Sequence, residues 1–124
     1  MKKEPLIFLE HILKSIERIK KFTKNINKEN IEKDELIQSA VIRQIEIIGE
    51  AVKNLPIEFI AKYPYIEWRE IAGMRDQLTH HYFGVDLEIV WKTIKEDLPK
   101  LKENISKIIK EEENTKNGKK KESS

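Results

Sequence analysis

Apolar residues recur along this chain at steps of three and four, and that period commits it to helices. Leu6, Leu9, Ile12, Leu13, Ile16, Ile19 and Phe22 mark a first helix over about 5–22. Pro5 fits its first turn, where a missing N–H costs nothing. Asn25 to Asn30 reads as a polar loop. Leu36, Ile37, Ala40, Val41, Ile45, Ile48, Ala51, Val52 and Leu55 mark a second helix, starting at Ile31 or Asp34. Pro56 opens a short helical turn to Lys62, which Tyr63-Pro64 ends because the residue before proline resists the α region. A third helix starts near Ile66 or Trp68, carries Ile71, Met74 and Leu78, and fails between Thr79 and Gly84. Asp86 is a good N-cap for a fourth, with Glu88 near its positive end. Leu87, Val90, Trp91, Ile94, Leu98, Leu101, Ile105 and Ile108 carry the stripe on to about 113, with a bend expected at Pro99.

Four amphipathic segments joined by short links predict an all-α, up-and-down four-helix bundle with a short extra helix. At 124 residues there is room for one core. The domain is expected over 1–113, with a disordered Lys-rich tail over 114–124, where Lys, Asn, Gly and Ser replace the periodic pattern. The stripe on the second helix is wider than a surface helix needs, so contact on two sides is expected, with two neighbouring helices or with another subunit. Gly49 stands within it at a cost of roughly 1 kcal/mol against alanine, which implies a close helix–helix approach.

Composition removes several functions. Without cysteine there is neither a disulfide framework nor a thiolate metal site. No run of eighteen apolar residues exists, and Met1-Lys2-Lys3-Glu4-Pro5 has no apolar stretch behind it, so no membrane span or signal peptide is expected and the location is read as cytoplasmic. The net charge is +2, but Lys116, Lys119, Lys120 and Lys121 against Glu122 place +3 in the tail, leaving −1 on the body. A body so nearly neutral does not coat nucleic acid by bulk charge; RNA binding needs a local site.

Phosphate-binding glycine loops, Cys/His metal spacings and a Gly-x-Ser-x-Gly elbow are all missing, so no cofactor and no metal are expected. Of the three histidines, His11 falls on the polar side of the first helix. Glu46 and Glu50, four apart, lack histidine partners and read as a solvated or salt-bridged face; Arg43 and Glu50 could reach a site from the second helix, but a structural role suits them better. Trp68 and Trp91 read as core or interface anchors. Chemistry concentrates in Arg75-Asp76-Gln77-Leu78-Thr79-His80-His81-Tyr82. Imidazole titrates near neutrality and can take a proton from a ribose 2′-OH or give one to a leaving 5′ oxygen. Guanidinium stays charged and can grip phosphoryl oxygens as negative charge builds on them. The plainer reading is a helix end decorated with cations that complement its dipole. On a continuous helix Arg75 and His80 would point about 140° apart. Either the helix breaks before His80, or a second copy completes the site across a two-fold axis, or both.

Arg75, His80 and Tyr82 form an Arg-x4-His-x-Tyr pattern that resembles the signature of HepT-like toxins of the HEPN superfamily. Ile47-Ile48-Gly49-Glu50-Ala51, Tyr63-Pro64 followed by Trp68, Gly73-Met74-Arg75, and Val85-Asp86 with Trp91 are similar to the family's flanks, over about residues 5–105. The resemblance implies a helical homodimer that cuts RNA, tRNA or another cellular RNA, by metal-independent attack of the 2′-OH. In that reading Arg75 steadies the scissile phosphate, His80 transfers protons and Asp76 orients one of them. His81 also neighbours the motif, but only His80 stands two residues before the tyrosine. The resemblance further implies a partner, a minimal nucleotidyltransferase antitoxin that silences the toxin by adding AMP to Tyr82. The alternatives are a non-catalytic helical module that partners a nucleotidyltransferase, and a purely structural dimer.

Overall fold

A computed structural model describes residues 4–80 and 84–123, with the side chains of residues 79, 80, 84 and 116–123 excepted. The order is α1 (Pro5–Phe22), α2 (Lys28–Lys33), α3 (Glu35–Lys53), α4 (Ile57–Lys62), α5 (Trp68–Ala72), α6 (Met74–Leu78), a two-residue bridge of β1 (Thr79–His80) with β2 (Gly84–Val85), α7 (Leu87–Lys92), a π turn (Thr93–Asp97) and α8 (Leu98–Ser123). The four predicted segments become four rods: α1, α3, α5 with α6, and α7 with α8. The all-α bundle is what the apolar period demands.

Helix ends follow local chemistry. α1 starts on Pro5 and stops where Thr23 turns both its backbone N–H and its hydroxyl onto the Ile19 carbonyl, at 3.0 and 2.8 Å. Asn25 then takes a φ of 64°, a left-handed conformation that asparagine tolerates better than most residues. The polar stretch read as a loop over 25–30 instead starts α2. Asn27 caps the Asn30 N–H at 2.8 Å while the Asn30 side chain accepts the Asn27 N–H at 3.3 Å, a reciprocal cap with asparagine in place of the usual Glu or Gln. Asp34 then caps α3 through the Ile37 N–H at 3.1 Å, so the predicted second helix begins at the later of its two candidate starts.

Leu9, Ile12, Ile19, Val41, Ile45, Ile48, Leu78, Val90, Leu98, Ile105 and Ile108 are buried together in one core. Leu36, assigned to the stripe, is 80% exposed; it lies in the first turn of α3, before that helix reaches its neighbours. The width of the α3 stripe has an explanation within the chain: α1 packs on one part of it, and α5 and α6 on another. A Cβ on Gly49 would stand 2.9 Å from the Ala72 carbonyl oxygen, so the expected close approach is real, and its partner is backbone.

The third segment is two short helices. The chain breaks at Gly73, whose N–H closes on the Arg69 carbonyl at 3.1 Å, before α6 resumes. The bend expected at Pro99 takes the form of the π turn just before it, with the Leu98 N–H reaching back to the Thr93 carbonyl. Proline cannot donate, and its ring crowds the preceding turn, so a wider turn relieves both problems. α8 is helical through Ser123, past residue 113 where the sequence places the end of the domain and the start of a disordered tail; among the described side chains its last fully buried one is Ile108. Among the described residues no helix is long and apolar enough to cross a membrane.

Candidate functional site

Arg75 rides on α6, a short helix anchored by buried Met74 and Leu78 on its inner side. That anchoring leaves the arginine side chain 47% exposed on the outer side. The Nε group meets Glu46 Oε2 at 2.9 Å. Glu46 comes from α3 and is shared, because Arg43, three residues earlier, bonds its other oxygen. The pairing follows from the packing. Gly49 touches Ala72, and stepping three residues back along α3 and three forward past Ala72 brings Glu46 opposite Arg75. The α5–α6 segment runs past α3 in the opposite direction, and the glycine contact brings these side chains into register.

Glu46 and Glu50 were read as a solvated or salt-bridged face. They divide the two descriptions: Glu46 is 34% exposed and holds two arginines, while Glu50 lies in solvent with Lys53 at 3.7 Å. Glu46 is the functional candidate that sequence reasoning undervalued. The available signal was Gly49: once a close helix contact is placed there, the carboxylate one turn away faces the next helix. Asp76, expected to orient the site, stands 3.6 Å from Arg75 Nη1 and is 84% exposed. Its hold on the guanidinium is the looser of the two, since an exposed pair at that distance is weak.

Helix α6 ends at Leu78, two residues before His80. The first of the two options for escaping a 140° separation is therefore met: the helix breaks. Thr79 pairs with Val85 and His80 with Gly84 in antiparallel register, and the Asp86 N–H closes the reversal on the Leu78 carbonyl at 2.7 Å. Asp86 then caps α7 through the Ile89 N–H at 3.2 Å, as expected of it. One aspartate thus fixes both the exit from the reversal and the start of the next helix. The His80 backbone is held between these ties, while His81, Tyr82 and Phe83 lie outside the described residues, and with them the expectation for the modified tyrosine.

The remaining candidates find plainer roles. His11 is exposed, its ring edge against Phe8 at 6.2 Å. Trp68 is buried and donates its indole N–H to the Tyr63 carbonyl at 3.0 Å, so the Tyr63-Pro64 and Trp68 pairing is a structural clasp. Burial raises the Tyr63 phenol well above its usual range, and its hydrogen bond to Glu112 adds to this. Lys62 reaches the same carboxylate at 2.7 Å, which ties α4 to α8. Trp91 packs against the core and carries the Lys95 ammonium 4.8 Å above its ring. Among the described residues, no three His, Cys, Asp or Glu side chains gather as a metal site would require.

Comparison with known proteins gives this site its context. A family model described as "Ribonuclease HepT-like" matches residues 12–108. A Methanocaldococcus jannaschii protein, named as a gamma-glutamylcyclotransferase and candidate RNase, is 52% identical over 96% of this chain, which spans 54% of that longer relative. A Thermococcus cleftensis protein named as a probable ribonuclease HepT is 50% identical over 89% of this chain and 100% of its own length. A Caldanaerobacter subterraneus protein named as a candidate RNase is 46% identical over 89% of this chain and 98% of its own. No solved structure matches. The match spans both the helix that carries Arg75 and the reversal that carries His80, and the chain belongs to the HepT-like ribonuclease family.

Proposed function

We propose that this chain is an endoribonuclease toxin, acting on tRNA or another cellular RNA as a homodimer and silenced by a nucleotidyltransferase antitoxin. The observation that carries the reading is Arg75, held half-exposed by Glu46 on the helix that leads into the reversal carrying His80. Arg75 binds the nonbridging oxygens of the scissile phosphate and offsets the charge they gain. His80 takes the proton of the 2′-OH, whose oxygen attacks the adjacent phosphorus, or returns a proton to the departing 5′ oxygen. A cyclic phosphate and a free 5′-OH result, with no further reactant needed. Neither role asks for a metal, because guanidinium supplies the charge and imidazole the proton transfer. Glu46 aims the guanidinium, with Asp76 beside it.

Exposed Leu36 and Ile57 offer apolar surface on which a second copy could pack. Tyr82, two residues after His80, is the proposed target of AMP addition. A phosphodiester anion and an adenosine there would repel RNA phosphate and fill the cleft. The cytoplasm, where both RNA and ATP are abundant, is the proposed location.

Mapping RNA cleavage by the purified protein beside His80→Ala is the direct test. Cleavage at defined positions that vanishes in the variant is expected; identical cleavage by both would remove the assignment. A chelator should leave cutting intact, and inhibition reversed by added divalent ion, on RNA whose fold is unchanged, would contradict the mechanism. Incubation with the antitoxin and ATP should add the mass of one or more AMP groups, lost in Tyr82→Phe.

A further inference from the structure

A departure from the neutral body lies away from Arg75, where the C-terminal end of α1 meets the π turn and the start of α8. A groove of about 540 Å³ opens there. Lys20, Lys21 and Lys24 line it from the α1 side, Lys95 from the π turn and Lys102 from α8, over a floor of Ile16, Ile19, Ile94, Leu98 and Pro99. The sole acid on its wall is Glu17, and the Lys102 ammonium beside it holds that carboxyl below its usual range. Five lysines against one carboxylate give the groove a charge of +4, on a body whose sum through residue 113 is −1. Basic residues in the last turn of α1 complement that helix's dipole, which accounts for Lys20 and Lys21. Lys95, which sits over the Trp91 ring, and Lys102, which pairs with Glu17, owe nothing to that dipole, and they bring further positive charge to the opposite wall. Among the described residues Lys21 and Lys24 are in no salt bridge, and Lys20 has only a longer-range attraction to Glu17, whose charge Lys102 already meets, so most of this charge faces the groove.

Position and shape support the same conclusion. α7 starts directly after the reversal that carries His80, and from Leu87 to Lys95 the chain rises roughly 12 Å at 1.5 Å per residue. The helix therefore leads from the candidate cleavage site to the groove. The π turn that accommodates Pro99 sets Lys95 on the groove wall. A basic groove with an apolar floor suits a flexible polyanion, whose phosphates meet the ammonium groups while its bases turn from water.

We infer that this groove binds the single-stranded RNA that flanks the cut, holding its phosphates on Lys20, Lys24 and Lys95. The inference rests on the ribonuclease reading and names a substrate subsite for it. The cleavage residues alone would engage one phosphate; the groove lengthens the footprint and favours unpaired RNA over a duplex.

The test is binding, kept apart from cutting. A fluorescent single-stranded 2′-O-methyl RNA, which lacks the attacking hydroxyl, is titrated with the full chain across a range of salt. Compared are the wild type, K20Q/K24Q/K95Q, and a control, K33Q/K107Q/K110Q, which removes the same charge from exposed positions elsewhere. All six lysines are exposed, and glutamine is a comparable helix former, so both variants should melt like the wild type. For the groove variant the slope of log affinity against log salt should fall by about 2, since each lost phosphate contact removes about 0.7 on single strands. Unchanged affinity and slope in the groove variant would overturn the inference, as would an equal loss in the control. Loss of RNA affinity in the groove variant, from a protein that proved unable to cut RNA, would uphold the groove and sink the nuclease. Intact cutting with intact binding in the groove variant would do the reverse.

Discussion

The two halves of the Arg-x4-His motif are held by different means. Arg75 belongs to a packed helix: Met74 and Leu78 are buried beneath it, and a carboxylate from a neighbouring helix fixes its guanidinium. His80 belongs to a two-residue bridge held through the backbone, by Gly84 opposite and by the Asp86 N–H on Leu78. A cation that must meet a phosphate benefits from being aimed beforehand, since its charge then acts without reorganisation. The histidine, in its proposed role of transferring protons, needs reach. Placing it on a reversal lets it leave the helical direction that would point it about 140° from the arginine. Short local ties suffice for the histidine, whereas the arginine depends on a tertiary contact made at Gly49.

The sharpest way to test that contrast is to remove each end. Arg75→Ala and His80→Ala should each lower RNA cleavage by about 10²-fold or more in a single-turnover assay, with melting temperatures close to the wild type. A large stability loss in either variant would show that the residue serves the fold instead.

Gly49→Ala comes next. On an open helix face this change stabilises by about 1 kcal/mol, but here the new methyl meets the Ala72 carbonyl at 2.9 Å. Backbone cannot move aside cheaply, so a net loss of about 1–3 kcal/mol is expected in denaturant unfolding. Activity should fall further than stability alone explains, because α3 would shift relative to α6. A stabilised Gly49→Ala would mean that the seam is loose.

Glu46→Gln keeps the shape and removes the charge. About a tenfold fall in kcat is expected, with RNA affinity little changed and the fold intact; Glu46→Asp should recover part of it. Asp76→Ala, at an exposed position, should cost less than threefold, roughly the worth of a surface pair. The reverse ranking would return the orienting role to Asp76.

A smaller effect probes the clasp away from the site. The Tyr63 phenol is raised in the folded chain, so its contribution is complete below pH 10, where the unfolded chain's tyrosines are still neutral. It is lost as pH climbs from there towards the raised value, because the unfolded state alone sheds the proton. Tyr63→Phe should therefore cost about 1–2 kcal/mol at neutral pH and flatten the alkaline decline in melting temperature.

How much was legible beforehand varies with the range of the interaction. Helix boundaries set by a local cap, such as Pro5, Asp34 and Asp86, could be read from neighbouring residues, and the break before His80 from the loss of periodicity. Asn27 was misjudged because an Asn-x-x-Asn cap lacks the Glu or Gln that normally advertises a capping box. Gly49 announced a close contact without naming its partner. The width of the α3 stripe left open whether a neighbouring helix or another subunit filled it, and α1, α5 and α6 supply the contact from within the chain.

Sequence alone determined the helical class and the number of rods, because period and capping act over a few residues, and residue chemistry singled out Arg75 and His80 as the pair proposed to react. Tertiary structure alone decided that Glu46 meets Arg75 and that lysines from α1, the π turn and α8 share one groove. Those meetings depend on how helices far apart in sequence cross, which is set by the volumes packed between them, and spacing along the chain does not encode that.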